Sequence, residues 1–326
     1  MTVTYREWKD GDDLALLELW PDAGDHQSLV DRALLQGRSD APFARGIVAE
    51  DEGIPVAAGS VAVSPLHPER AWIYVEVAPQ VRRQGIGAEL ARRLAAELSS
   101  AASSGASPTA QLKARWASAG NPGAERLAAR LGLETIQVSR QVEVAPKAVP
   151  FPDFEDASAG TRHVTDIATG SVELTLAAQR FYDAVHASWD PAVTTPGQIA
   201  RMLLSPQAGA HGALVVRSGS PLPEDAPEGA RAGAIRAFAI SYAQERAEPG
   251  DEAADVLIGW DPETDEDTQI RAIADLLGVM AAERPVSVEV DSSMAPLVRV
   301  LAALEKDGTA RVTSSTTIAA TRGEGA

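Results

Sequence analysis

Twice in this chain an apolar run stops at a proline and an amphipathic segment follows within a few residues. The first run is AWIYVEVAP, ending at Pro79; the segment after it, GAELARRLAAELSS, puts Leu90, Leu94 and Leu98 on one face. The second is ADVLIGWDP, ending at Pro262, followed by TQIRAIADLLGVMAAE. A short apolar run bounded by proline reads as a buried strand, and a 3.6-residue apolar period reads as a helix. Sheets with helices packed on them accommodate this transition, and its recurrence points to two such sheets.

The surrounding sequence extends both copies. VTYREW alternates as a strand, and DLALLELW and HQSLVDRALLQGRS carry helical spacing. ARGIVAEDEGIPVAAGSVAVSP reads as a hairpin turning at EDEG. AQLKARWAS is a strand, NPGAERLAARLGL a helix and ETIQVSRQVEV a last strand. The order is β-α-α-β-β-β-α-β-α-β. Residues 145–160, APKAVPFPDFEDASAG, then break the periodicity with prolines and small residues. The same order resumes afterwards and closes with ARVTSSTTIAATR. We therefore expect a domain over 1–146, a linker over 147–160 and a second domain over 161–326. Each domain is read as α/β (α+β), a mixed, mostly antiparallel sheet flanked by helices.

Composition removes several classes. Hydrophobic residues make up 45% of the 326 and charged residues 23%, enough for a buried core in each half. The chain has no cysteine, which excludes disulfides, thiolate metal sites and a cysteine nucleophile and fits a reducing compartment. The polar start MTVTYREWKDGDD lacks a signal-peptide core, and no apolar run reaches spanning length. A cytoplasmic protein without a membrane partner is expected. The net charge of −17 is uneven: residues 1–150 hold 16 basic and 19 acidic residues, and 151–326 hold 13 and 27. So acidic a second half is a poor nucleic-acid surface.

The loop VAPQVRRQGIGAEL carries the chemistry. A helix begins with unpaired N–H groups and a partial positive charge. Glycines at Gly85 and Gly87 let phosphate oxygens reach those groups, and Arg82 and Arg83 add full charges. The reading is a cradle for a pyrophosphate. It is not the dinucleotide fingerprint, whose third glycine is replaced within Ala88-Glu89-Leu90, nor a P-loop, which needs Gly-Lys-Ser/Thr.

These residues resemble the acetyl-CoA signature of the GNAT acyltransferase superfamily, Arg/Gln-x-x-Gly-x-Gly/Ala, with Arg82, Gly85 and Gly87 at its defining positions. NPGAERLAARLGLE resembles the closing helix of that family through Asn121, Ala124, Gly132 and Leu133. The resemblance implies two tandem GNAT folds and acetyl-CoA as co-substrate. It implies that Arg82, Arg83, Gln84, Gly85, Ile86, Gly87 and Ala88 hold the pyrophosphate. Val75, Glu76 and Val77 would take the pantetheine arm along their backbone, with Asn121 nearby. The reaction implied is direct attack of an amine, on a small molecule or a peptide, with no metal; the protein would be a monomer or homodimer.

The chain departs from the family at several positions. The tyrosine that the family uses to protonate the thiolate falls at Ala128, and a common base position falls at Ala71. Glu76 is the first candidate for the base, against the plainer reading of a paired or solvated strand carboxylate. In the second half the corresponding loop is ETDEDT, where Glu263, Asp265, Glu266 and Asp267 would repel a phosphate and favour their own helix start. That domain is expected to be degenerate.

His26, His67, His163, His186 and His211 lack metal-ligand spacing. His186, Trp189 and Asp190, and Trp20, Asp22 and His26, fall where an acceptor cleft is often lined, or are core tryptophans with helix-end acids. Trp72 and Trp116 are read as core. The leading function is acetyl-CoA-dependent N-acyltransfer to a primary amine. A non-catalytic acyl-CoA-binding or interaction protein competes with it, and another phosphate-ligand enzyme stands further off.

Overall fold

The computed structural model describes residues 2–20, 26–155, 160–221, 233–243 and 253–322. The chain forms two compact units. One comprises 1–137 with 189–193 and 316–326; the other comprises 138–188 and 194–315.

The first unit contains strands β1 (Val3–Glu7), β2 (Ser39–Asp40), β3 (Phe43–Asp51), β4 (Ile54–Val63), β5 (Ala71–Val77) and β6 (Leu112–Ala117). Its helices are α1 (Asp12–Leu17), α2 (His26–Arg32), α3 (Ile86–Ser103) and α4 (Pro122–Arg130). The sheet order is β1-β3-β4-β5-β6, with β2 beside β3. The hairpin expected at EDEG turns through Glu52 and Gly53, both with positive φ, as a two-residue turn between right-twisted strands requires. In α3 the residues Ile86, Leu90, Leu94, Leu98 and Ala101 are buried, one stripe of the 3.6-residue period. Leu94 and Leu98 are fully buried, each contributing about 2 kcal/mol of apolar burial.

β5 runs antiparallel to β4 along its whole length, from Ala71↔Val63 to Val77↔Ala57. Its other edge is different. β5 and β6 are parallel and paired only at Ala71↔Leu112 and Trp72↔Lys113, after which they diverge. On its far side β6 pairs antiparallel with residues 316–320 of the last strand, β13 (Ala310–Thr321), through Thr316↔Ala117 to Ala320↔Lys113.

The second unit repeats the pattern with β8 (Arg162–Asp166), β9 (Ala210–Ser218), β10 (Ile235–Tyr242), β11 (Ala254–Trp260) and β12 (Val286–Asp291). Helices α5 (Val172–His186), α6 (Pro196–Ile199), α7 (Glu266–Met280) and α8 (Ala295–Lys306) accompany them. Its sheet runs β8-β9-β10-β11-β12 and continues with β7 (Leu133–Val144), whose Ser139–Val144 pair with β12. Phe181 packs edge-on to both Phe238 and Trp260 in the core. The short strand β2 and 3-10 turns at Pro79–Val81 and Pro206–Ala208 go beyond the sequence reading, and α6 continues into a π-helical turn at Ala200–Leu204. In the proline-rich stretch, Lys147 N–H donates to Ala281 O and the backbone of Pro150 lies against Gly278. Most of the loop SPLPEDAPEG lies outside the described residues.

Candidate active-site cleft

Where β5 and β6 separate, the first unit has a cleft of about 980 Å³. Strand alternation gives it two walls of different chemistry. Val75 and Val77 turn toward α3, and both lie next to Gly87. Trp116 belongs to the same apolar cluster as Ala128 and Leu133. On the opposite face of β5 stand Trp72, Tyr74 and Glu76.

The phosphate-loop residues Arg82, Arg83, Gly85, Ile86, Gly87 and Ala88 all line this cleft, as do Val75, Glu76, Val77 and Asn121. Gln84 is exposed in the same loop. Gly85 adopts φ 86° and ψ −6° immediately before α3, a left-handed conformation that glycine takes without a Cβ penalty. Arg83, also left-handed at φ 68°, gives the loop a second sharp turn. No side chain caps α3, so its first-turn amides are open to an anion. Gly87 matters for another reason. A Cβ there would come within 3.3 Å of Val77, so a larger residue would push the helix start off the strand. Arg82 Nε donates to Val77 O at 2.9 Å, tying the loop to the end of β5. The edge of Ile73–Val77 that faces β6 has no strand partner among the described residues, which leaves backbone donors and acceptors along the cleft. Across it, Asn121 caps α4 by accepting from Ala124 N–H.

The opposite wall is a set of ion pairs. Arg32 of α2 donates from Nε and Nη2 to the two oxygens of Glu76, at 3.0 and 2.8 Å. Tyr74 Oη donates to Glu76 Oε2 at 2.7 Å. Burial, reinforced by that carboxylate, pushes the Tyr74 phenol well above its ordinary pKa, so it stays protonated. Arg115 of β6 donates from Nε to Asp31 at 2.7 Å, and its guanidinium lies 5.2 Å from the Trp72 ring centre. Trp72 is therefore half-buried beneath two cations, Lys113 and Arg115, whereas Trp116 is core as expected. The sequence reading missed Asp31, Arg32, Tyr74 and Arg115. The signal was present in Trp72-x-Tyr74-x-Glu76, a polar alternation within an otherwise apolar strand.

Other singled-out residues lie elsewhere. Trp20 is buried beneath the Arg32 guanidinium, His26 starts α2, and Asp22 is outside the described residues. His186 stacks on Tyr182 at 4.1 Å. His163 bonds Gly219 O, and His211 is exposed. Asp190 is paired with Lys113 at 2.6 Å, and His67 Nδ1 lies 2.8 Å from Asp190 O. Among the described residues no group of His, Cys, Asp and Glu could hold a metal ion. No described helix is long and apolar enough to cross a membrane.

In the second unit the helix after β11 begins differently. Asp265 caps α7, accepting from Thr268 N–H at 2.9 Å and Thr268 Oγ1 at 2.7 Å. These bonds, together with the N–H groups of the turn, hold its carboxyl below the usual range. A carboxylate of the chain occupies the place that an anion would need.

Residues 6–133 match the profile of the acetyltransferase (GNAT) family. No curated protein matches the chain. Several solved structures are similar over nearly its whole length. A GCN5-related N-acetyltransferase from Sphaerobacter thermophilus aligns with 98% of this chain and 95% of its own, at 15% identity and a TM-score of 0.60. One from Anabaena variabilis aligns with 98% of this chain and 72% of its own, at 12% identity and a TM-score of 0.54. A tandem GNAT protein from the clavulanic acid biosynthesis pathway covers 98% of both chains at 17% identity, with a TM-score of 0.52. At these identities the likeness is one of fold.

Proposed function

We propose, from the match of residues 6–133 to the acetyltransferase (GNAT) family and from the cleft described above, that the protein transfers an acetyl group from acetyl-CoA to a primary amine. The acceptor is a small molecule or a peptide. The observation that carries this reading is the uncapped, glycine-turned start of α3 beside the open edge of β5. Two recognition elements that acetyl-CoA needs thus meet in one cleft. The amides of Ile86, Gly87 and Ala88, with Gly85 leading into them and Arg82, Arg83 and Gln84 alongside, take the pyrophosphate. The backbone of Val75, Glu76 and Val77 takes the pantetheine arm and polarises the thioester carbonyl, with Asn121 across the cleft. Glu76, or a water chain reaching solvent, accepts the proton of the attacking amine; the first route has to work against the bonds that both Glu76 oxygens already accept from Arg32 and that Oε2 also accepts from Tyr74.

Only the first domain, over 1–146, binds acetyl-CoA in this reading. The second, over 161–326 and joined by 147–160, does not, because Asp265 fills the helix start. We place the protein in the cytoplasm, as a monomer or homodimer without nucleic-acid or membrane partners. Calorimetry should give about one acetyl-CoA site per chain, and free CoA should appear with some members of an amine panel. Two equivalent sites would overturn the assignment to the first domain. Glu76→Gln should slow turnover at neutral pH, with partial recovery at high pH; an unchanged pH–rate profile would place the proton acceptor elsewhere. Acetyl-CoA binding with no CoA release from any amine would favour a non-catalytic acyl-CoA-binding protein.

A further inference from the structure

We propose that the acceptor is a small amino carboxylate and that Arg115 recognises its carboxylate group. This rests on the acyltransferase reading above and names the substrate class of the same cleft. Both carboxylates on the acceptor wall are already neutralised. Glu76 is held by both ends of Arg32, and Asp31 by Nε of Arg115. The wall therefore offers no uncompensated negative charge to attract a polycationic acceptor.

It offers instead one pre-set cationic fork. Arg115 lines the cleft, with its side chain about a quarter exposed at 23%. Its Nε–Asp31 bond and its position over Trp72 fix the plane of the guanidinium. Both terminal Nη groups hydrogen-bond to no protein group among the described residues. A planar guanidinium with two parallel free donors matches a carboxylate bidentately, and little side-chain entropy remains to be lost on binding. On the same face of β5 stand Tyr74 and Glu76, where the amine would give up its proton. An acceptor with its carboxylate on Arg115 therefore has its amine directed toward that pair.

The test compares each amino acid with its decarboxylated amine at equal free-amine concentration. Suitable pairs are glycine with methylamine, alanine with ethylamine, and phenylalanine with 2-phenylethylamine, with spermidine as a cationic control. CoA release by the full chain should favour the carboxylate member in kcat/KM by about 10- to 100-fold, the size of a charge-assisted bond. Arg115→Lys keeps a cation beside Asp31 but removes the fork. It should bring the ratio close to one through KM while acetyl-CoA affinity and the melting temperature are retained. Equal use of acids and amines, a preference for spermidine, or a ratio that survives in Arg115→Lys would each overturn the proposal. If no amine releases CoA, calorimetry of the same amino acids on the CoA-loaded chain decides. Saturable binding lost in Arg115→Lys would sustain the carboxylate site although the enzyme reading falls. No binding would remove both.

Discussion

Lys113 is wholly buried, and its ammonium group donates to Asp190 Oδ2 at 2.6 Å while lying 4.7 Å from the Trp72 ring centre. Burial pulls its pKa below the ordinary lysine value, and the Asp190 carboxylate opposes that pull. Asp190 also faces His67 and Arg70, the latter at 3.6 Å. A buried pair need not stabilise relative to an apolar pair, but breaking one leaves an uncompensated charge. Asp190→Ala should therefore lower stability by about 3–5 kcal/mol in chemical denaturation. Adding Lys113→Met should recover more than half of the loss. A single variant as stable as the parent would mean that water reaches Lys113 in the folded protein. The partnership was hidden in the sequence, because Lys113 and Asp190 are 77 positions apart and Asp190 reads there only as a cleft-lining residue or a helix-end acid.

At the scale of elements, the two halves use one strand-to-helix connection for opposite ends. Before α3 the chain supplies Gly85 at φ 86° and no cap; before α7 it supplies Asp265 with two bonds to Thr268. Both arrangements satisfy helix physics. One leaves the N-terminal amides to a ligand, and the other satisfies them internally. Gly85→Glu should abolish acetyl-CoA binding in calorimetry, since it places a carboxylate where the pyrophosphate would lie. The left-handed φ adds a stability loss of about 1 kcal/mol, read from the melting curve. A folded variant with native affinity would move the phosphate site off this loop. This contrast was legible in RRQGIG and ETDEDT, because helix starts are decided by local residues. The acceptor wall was less legible. Its members come from α2, β5 and β6, and only the spacing of Trp72, Tyr74 and Glu76 marks it locally.

At the scale of the whole molecule, the first unit is not a continuous stretch of chain. Its β6 edge is covered by Thr316–Ala320, and residues 189–193 enter through the Asp190 carboxylate, which accepts from Lys113, through Trp189 O, which accepts from Arg70 Nη1, and through Val193 N–H, which donates to Leu66 O. A fragment ending at residue 146 would expose the β6 edge and leave Lys113 buried without its carboxylate. It should aggregate or unfold at temperatures where the full chain is native, as measured by solubility and circular dichroism. A monomeric fragment with the parent's melting temperature would show that 189–193 and 316–320 are dispensable for folding.

The sequence by itself determined the elements, their duplicated order and the asymmetry of the two loops. These follow from apolar period, proline and glycine positions, and the charge beside a helix start, all set by residues within a few positions of one another. Only the tertiary structure decided that β13 lies against β6, that β7 lies against β12, and that Arg115 meets Asp31 with its terminal donors open to the cleft. An antiparallel strand reads alike whichever neighbour it joins, since alternation specifies a face and not a partner. The pairing of distant charges depends on burial that arises only when the separate segments pack together.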